Sequence, residues 1–136
     1  MKHFIPCIFF LLTLQVSGQT PVGMWKSVDD NSGEPRSYVE IYEQEGLLFG
    51  KITKLLGDDP NAKCDLCSGA KKNKPIVGLV IIEKMKPYKD YWKNGEILDP
   101  ETGKEYACEL WIEDGNLKIK GKHWTGLYRT QTWYPL

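Results

Sequence analysis

The chain has 136 residues, with 18 Lys and Arg against 18 Asp and Glu, so its formal net charge is zero. That balance excludes a protein held on nucleic acid by bulk positive charge. Residues 1–18 read as a secretory leader: Lys2, an apolar run from Phe4 to Val16, then the small-residue pattern Val16-Ser17-Gly18. The run of about 13 residues is too short to cross a bilayer, and no other reaches 18, so no membrane span is expected. Residues 19–136 keep 17 basic and 18 acidic residues, because the leader carries only Lys2. They are expected to form one β-barrel domain, since a chain of this size can bury roughly two-thirds of its unfolded surface.

Short extended runs separated by turn residues predict an all-β fold. Pro21–Val28 is a first strand, stopped by the turn-rich run from Asp29 to Pro35. Arg36–Gln44 is a second, with Tyr38, Glu40 and Tyr42 on one face and Val39 and Ile41 on the other. Glu45-Gly46 is a hairpin turn, and Leu47–Leu56 is a third strand. A polar segment, Gly57–Pro75, follows; it is longer than ordinary connections and reads either as a lid, with Gly57 and Gly69 as hinges, or as a disordered stretch. Ile76–Glu83 is apolar on both faces and reads as a fourth strand, with Lys84–Asp90 as a connection. Tyr91–Leu98, Lys104–Ile112, Asn116–Lys122 and Leu127–Tyr134 complete eight strands. Eight suits an antiparallel up-and-down barrel around a filled core or one small ligand, with a β-sandwich as the competing architecture. Strand parity collects the long loops at one end and leaves the other closed.

Cys64, Cys67 and Cys108 lie outside the leader. Three arrangements are open: a Cys64–Cys67 disulfide fastening the long loop, a bridge from one of them to Cys108, or a metal site that includes His123. An oxidising compartment favours the first, with no metal bound and Cys108 buried as a small apolar residue.

Catalysis has little to build on. His123 is the one histidine beyond the leader, no serine sits in a nucleophile elbow, and the carboxylates fall in turns. No catalytic residue, cofactor or enzymatic activity is expected. The barrel interior instead offers aromatic walls with a few polar handles: Tyr38 and Tyr42 from the second strand, Tyr106 and Leu110 from the sixth, Gln131 and Trp133 from the last. The opposite phase of the second strand, with Val39 and Ile41 inward, would exclude the two tyrosines.

Gly23-Met24-Trp25 with Arg129 on the last strand resembles the calycin superfamily, which contains the lipocalins. The resemblance implies that Arg129 packs over Trp25 and plugs the closed end. A closer match runs through Val39-Glu40-Ile41-Tyr42, Gly50-Lys51-Ile52, Pro75-Ile76-Val77-Gly78, Gly95-Glu96-Ile97-Leu98-Asp99-Pro100 and the closing Arg129-Thr130-Gln131-Thr132-Trp133. Together these resemble the bacterial domain-of-unknown-function family 2147. That resemblance implies a small exported protein, periplasmic or secreted, of a Gram-negative bacterium, and brings no established activity. The expected function is an exported binding module holding a small apolar or amphipathic ligand. The alternative is a filled barrel acting as a structural or protein-interaction component of the envelope.

Overall fold

The computed structural model describes residues 2–4, 6, 20–57 and 59–136. Most of the expected leader, together with Gln19 and Asp58, lies outside the described residues. Eight strands run in chain order: β1 (Gly23–Val28), β2 (Pro35–Gln44), β3 (Leu47–Leu55), β4 (Val80–Tyr88), β5 (Tyr91–Asp99), β6 (Lys104–Glu113), β7 (Asn116–Lys122) and β8 (Tyr128–Pro135). Each pairs antiparallel with the next, and β1 pairs with β8, giving a closed up-and-down barrel. The described residues contain no helix long and apolar enough to cross a membrane.

The turns explain the two unlike ends. Glu45-Gly46, Lys89-Asp90 and Asp114-Gly115 are two-residue connections, and both residues of the first and last have positive φ. That matches the tight turns whose twist suits adjacent antiparallel strands. They close one end. The opposite end carries the β1–β2 loop, a long β3–β4 loop (residues 56–79), the β5–β6 turn and the β7–β8 loop.

The fourth strand differs from expectation. Ile76–Leu79 is loop, and the strand runs through Lys84–Tyr88 instead. The apolar run pairs in part outside the ladder: the Ile76 N–H donates to the Ala62 carbonyl, the Gly78 N–H to Ile52, and the Ile52 N–H to Leu79. Pro87 is tolerated in β4 because β3–β4 pairing stops at Leu48 opposite Met85, so its missing N–H breaks no bond to β3. The β3–β4 connection is correspondingly longer than the expected Gly57–Pro75, and the β4–β5 connection shrinks to two residues.

Leu48, Ile82, Met85, Leu110 and Leu117 are essentially inaccessible and fill the closed half. Trp25 is buried with them, its indole N–H donating to the Pro21 carbonyl at 2.8 Å. Gly95 permits this packing: a Cβ there would lie 2.2 Å from Met85 Sδ and 2.4 Å from the Glu83 carbonyl oxygen. The interior below mid-height is thus solid, and any space must lie above it.

Candidate functional site

That space is a cavity of about 980 Å³ at the open end. Its walls come from alternate residues of the strands. Ile52, Ile81, Ile97, Ile119, Tyr106 and Trp133 supply an apolar lining. Gly121 sits among them, and a Cβ there would lie 3.5 Å from Tyr106 Cβ, an ordinary contact, so the missing side chain leaves volume without being sterically required.

Polar groups concentrate on the β8–β1–β2 side. Ser27 and Ser37 are opposite one another in the ladder, buried, and share a hydroxyl–hydroxyl hydrogen bond of 2.5 Å. β1 meets β8 with Trp25 opposite Pro135 and Lys26 opposite Tyr134; continuing that register puts Ser27 beside Trp133. The Trp133 indole N–H donates to Gln131 Oε1 at 3.2 Å. Ser37, Ser27, Trp133 and Gln131 all line the cavity.

The rim is charged. Arg36 pairs with Asp29 at 3.3 Å and with Glu101, and Arg129 pairs with Asp30 at 2.6 Å. Asp59 and Asp99 also line the cavity, and each accepts a backbone N–H two residues on. Among the described residues, five carboxylates therefore face two guanidiniums. The backbone N–H groups of Ser32 and Asn31 hold the Asp29 carboxyl below the usual carboxylate range. His123 lies at the rim with Nδ1 within hydrogen-bond reach of Thr125 Oγ1 (2.9 Å) and of the Thr125 backbone N–H (3.3 Å), so one ring nitrogen is occupied inside its own turn.

The long loop is fastened over one side of the mouth. Cys64 and Cys67 form a disulfide, and both are buried. The Cys64 N–H donates to the Lys74 carbonyl and the Asn73 N–H to that of Cys64, while Lys63 bridges Pro75. Lys71 pairs with Glu83 at 3.2 Å. Ala62 and Ile76 of this loop contribute to the cavity wall. The loop is an ordered flap with a single 3₁₀ turn, Gly69–Lys71, rather than an unstructured polar excursion. Cys108 is a free thiol buried in the barrel, and burial first, then the neighbouring Glu109 charge, pushes its pKa up to about 12.

Of the interior candidates, Tyr106, Gln131 and Trp133 come together in the cavity, while Leu110 lies in the filled half. Tyr38 and Tyr42 do not face the interior: Ser37, Val39 and Ile41 take that face. The tyrosines lie outside, with Lys54 Nζ 5.7 Å above the Tyr38 ring, Lys51 Nζ 5.6 Å above Tyr42, and Tyr42 stacked on Phe49 at 5.8 Å. Nor does Arg129 plug the closed end. Trp25 sits opposite Pro135 and Arg129 opposite Gly121, six residues apart on β8, or roughly 20 Å at strand rise. Arg129 instead belongs to the open rim. Sequence reasoning missed Ser27, Ser37, Gly121 and the five lining isoleucines, Ile52, Ile76, Ile81, Ile97 and Ile119. The Val39/Ile41 phase would have placed Ser37 inward, and with it Ser27.

An eight-strand up-and-down barrel, solid at one end and hollow at the other, is a lipocalin-like fold. The solved structure of protein HP1028 from the human pathogen Helicobacter pylori, described as belonging to the lipocalin family, superposes with a TM-score of 0.73 at 19% identity, covering 85% of this chain and 82% of that one. The chain belongs to the family described as an uncharacterized protein conserved in bacteria, DUF2147, whose model matches residues 23–134. A search of curated proteins finds no match.

Proposed function

We propose that this protein is an exported carrier that binds a small amphipathic molecule in the open half of its barrel without transforming it. The cavity of about 980 Å³ carries this reading, since it stands at the upper end of the roughly 300–1,000 Å³ range of small-molecule sites. A barrel serving only as a scaffold has no need of a lining split between isoleucines and a serine–glutamine row. Export rests on the leader-like residues 1–18 and agrees with a Cys64–Cys67 disulfide. Binding without chemistry agrees with the engagement of His123 by Thr125.

The test uses the neutral fluorophore N-phenyl-1-naphthylamine. It should bind the purified protein with a blue shift and quench tryptophan emission. Gly121→Leu accommodates its Cβ, projects the rest of its side chain into the cavity, and should weaken the probe at least tenfold while the fold melts cooperatively. Mass spectrometry of protein recovered intact from its native envelope should show a reproducible added mass. A probe that ignores Gly121→Leu, together with a clean apo mass, would sink the carrier reading and favour a structural barrel.

A further inference from the structure

The hydrogen bonding of Gln131 narrows the ligand class. An indole N–H can only donate, so the group 3.2 Å from Trp133 Nε1 must be the amide oxygen of Gln131. The orientation of the amide follows from that chemistry. The Gln131 amide nitrogen, with two N–H donors, is left to the cavity side, and no described residue accepts from it. The nearby serine hydroxyl protons are both placed within the β1–β2 ladder when Ser27 donates to the Ser37 carbonyl at 3.3 Å and Ser37 donates to Ser27 Oγ. The Gln131 amide is thus a donor whose orientation the indole fixes, unlike the freely rotating Tyr106 hydroxyl in the same lining. Gln131 is half-buried and its amide nitrogen stays accessible from the cavity, so a ligand that displaces water there keeps the hydrogen bond if it carries an acceptor and forfeits it if it does not.

The rim sets the charge. Its two guanidiniums are already taken by Asp29, Glu101 and Asp30, and carboxylates outnumber them. An anionic head would meet net repulsion there, and gains a cation only by displacing a carboxylate from it.

Resting on the carrier reading, we infer that the ligand is an uncharged amphiphile whose carbonyl or ether-type oxygen accepts a hydrogen bond from the Gln131 amide, with its apolar body against Ile81, Ile97 and Tyr106. Gln131 is the specificity-determining residue, and Trp133 positions it.

Displacement of N-phenyl-1-naphthylamine by methyl dodecanoate and by dodecanoate at pH 8 tests this. The ester should compete at least tenfold more tightly than the carboxylate. Gln131→Met removes the donor at similar length; Gln131→Glu removes it while keeping an oxygen for the Trp133 indole. In each, the ester's advantage over the naphthylamine probe should fall about five- to tenfold, the size of one neutral hydrogen bond. The pair of variants guards against one failing to fold. Unchanged ester competition in whichever variant melts cooperatively, or tighter binding of dodecanoate than of the ester, would overturn the inference while leaving the carrier reading intact. A probe that Gly121→Leu does not disturb, together with a clean apo mass, would remove both.

Discussion

Gly103 is where the β5–β6 turn meets the flap, and Gly103→Ala should unseat it. The residue has φ +72°, and a Cβ would lie 1.9 Å from the Leu66 carbonyl oxygen, 2.4 Å from its carbon and 3.0 Å from the Cys67 nitrogen. These are backbone atoms inside the Cys64–Cys67 ring, so they cannot yield as a flexible side chain would. The left-handed conformation costs an L-residue about 1–2 kcal/mol. Overpacking adds about 1–3 kcal/mol. The sum, about 2–5 kcal/mol, corresponds to a fall of roughly 8–20 °C in melting temperature at about 4 °C per kcal/mol for a domain of this size. Gly115→Ala is the control: it has φ +76° and nothing within 4 Å of a Cβ, so it carries the backbone cost alone. Differential scanning calorimetry of both variants, in the wild-type background and in Cys64→Ser/Cys67→Ser, separates the contributions. The excess of Gly103→Ala over Gly115→Ala should shrink once the ring is opened and Leu66 can retreat. Equal losses in the two variants would refute the argument that the turn and the flap are locked together.

Two further outcomes follow from the core and the rim. Trp25→Ala should cost about 3–5 kcal/mol as a buried aromatic truncation, Arg129→Ala no more than about 1 kcal/mol as a largely exposed ion pair, and urea melts of the double mutant should be additive because the two sites are far apart. The Cys108 thiol should resist Ellman's reagent at pH 8 in the native protein and react fully in urea; because burial raises its pKa from 9 to about 12, its contribution to stability is whole below about pH 9 and is lost as pH rises toward 12, which melts of wild type and Cys108→Ala across that window would reveal.

The turns and alternation made eight strands, their order and the open-end loops legible in the sequence, because two-residue turns leave hairpins little freedom of register. The phase of β2 was not, since both of its faces are amphipathic or apolar. Tyrosine rings that look suited to a pocket sit equally well outside when Lys51 and Lys54 cover them. Arg129 misled for a related reason: its motif fixes a residue type on the last strand but not its height in the barrel, which depends on where β8 meets β1. The Ile76–Glu83 run concealed its own boundary, because burial in a strand and burial under a flap select the same side chains. Gln131 was found as an interior residue, but its role as a donor needed the indole beside it.

The ring of strands is completed by very little. β1 and β8 share only the pairs Trp25–Pro135 and Lys26–Tyr134, supplemented by the Leu136 N–H to the Met24 carbonyl. Above that stitch, the β8 edge from Tyr128 to Thr132 is bonded to β7 alone, and the Asp30–Arg129 ion pair spans the gap. Every other pairing joins neighbours in sequence, most of them through two to six residues, whereas the seam must bring the two ends of the domain together. Loop-closure entropy is greatest there and the enthalpic return smallest. The barrel should therefore assemble as a curling meander that zips up last at β1–β8, and open there first. Amide protons of β1 and β8 should exchange ahead of those in β5 and β6, and a chain caught before closure would offer two bare strand edges to its neighbours.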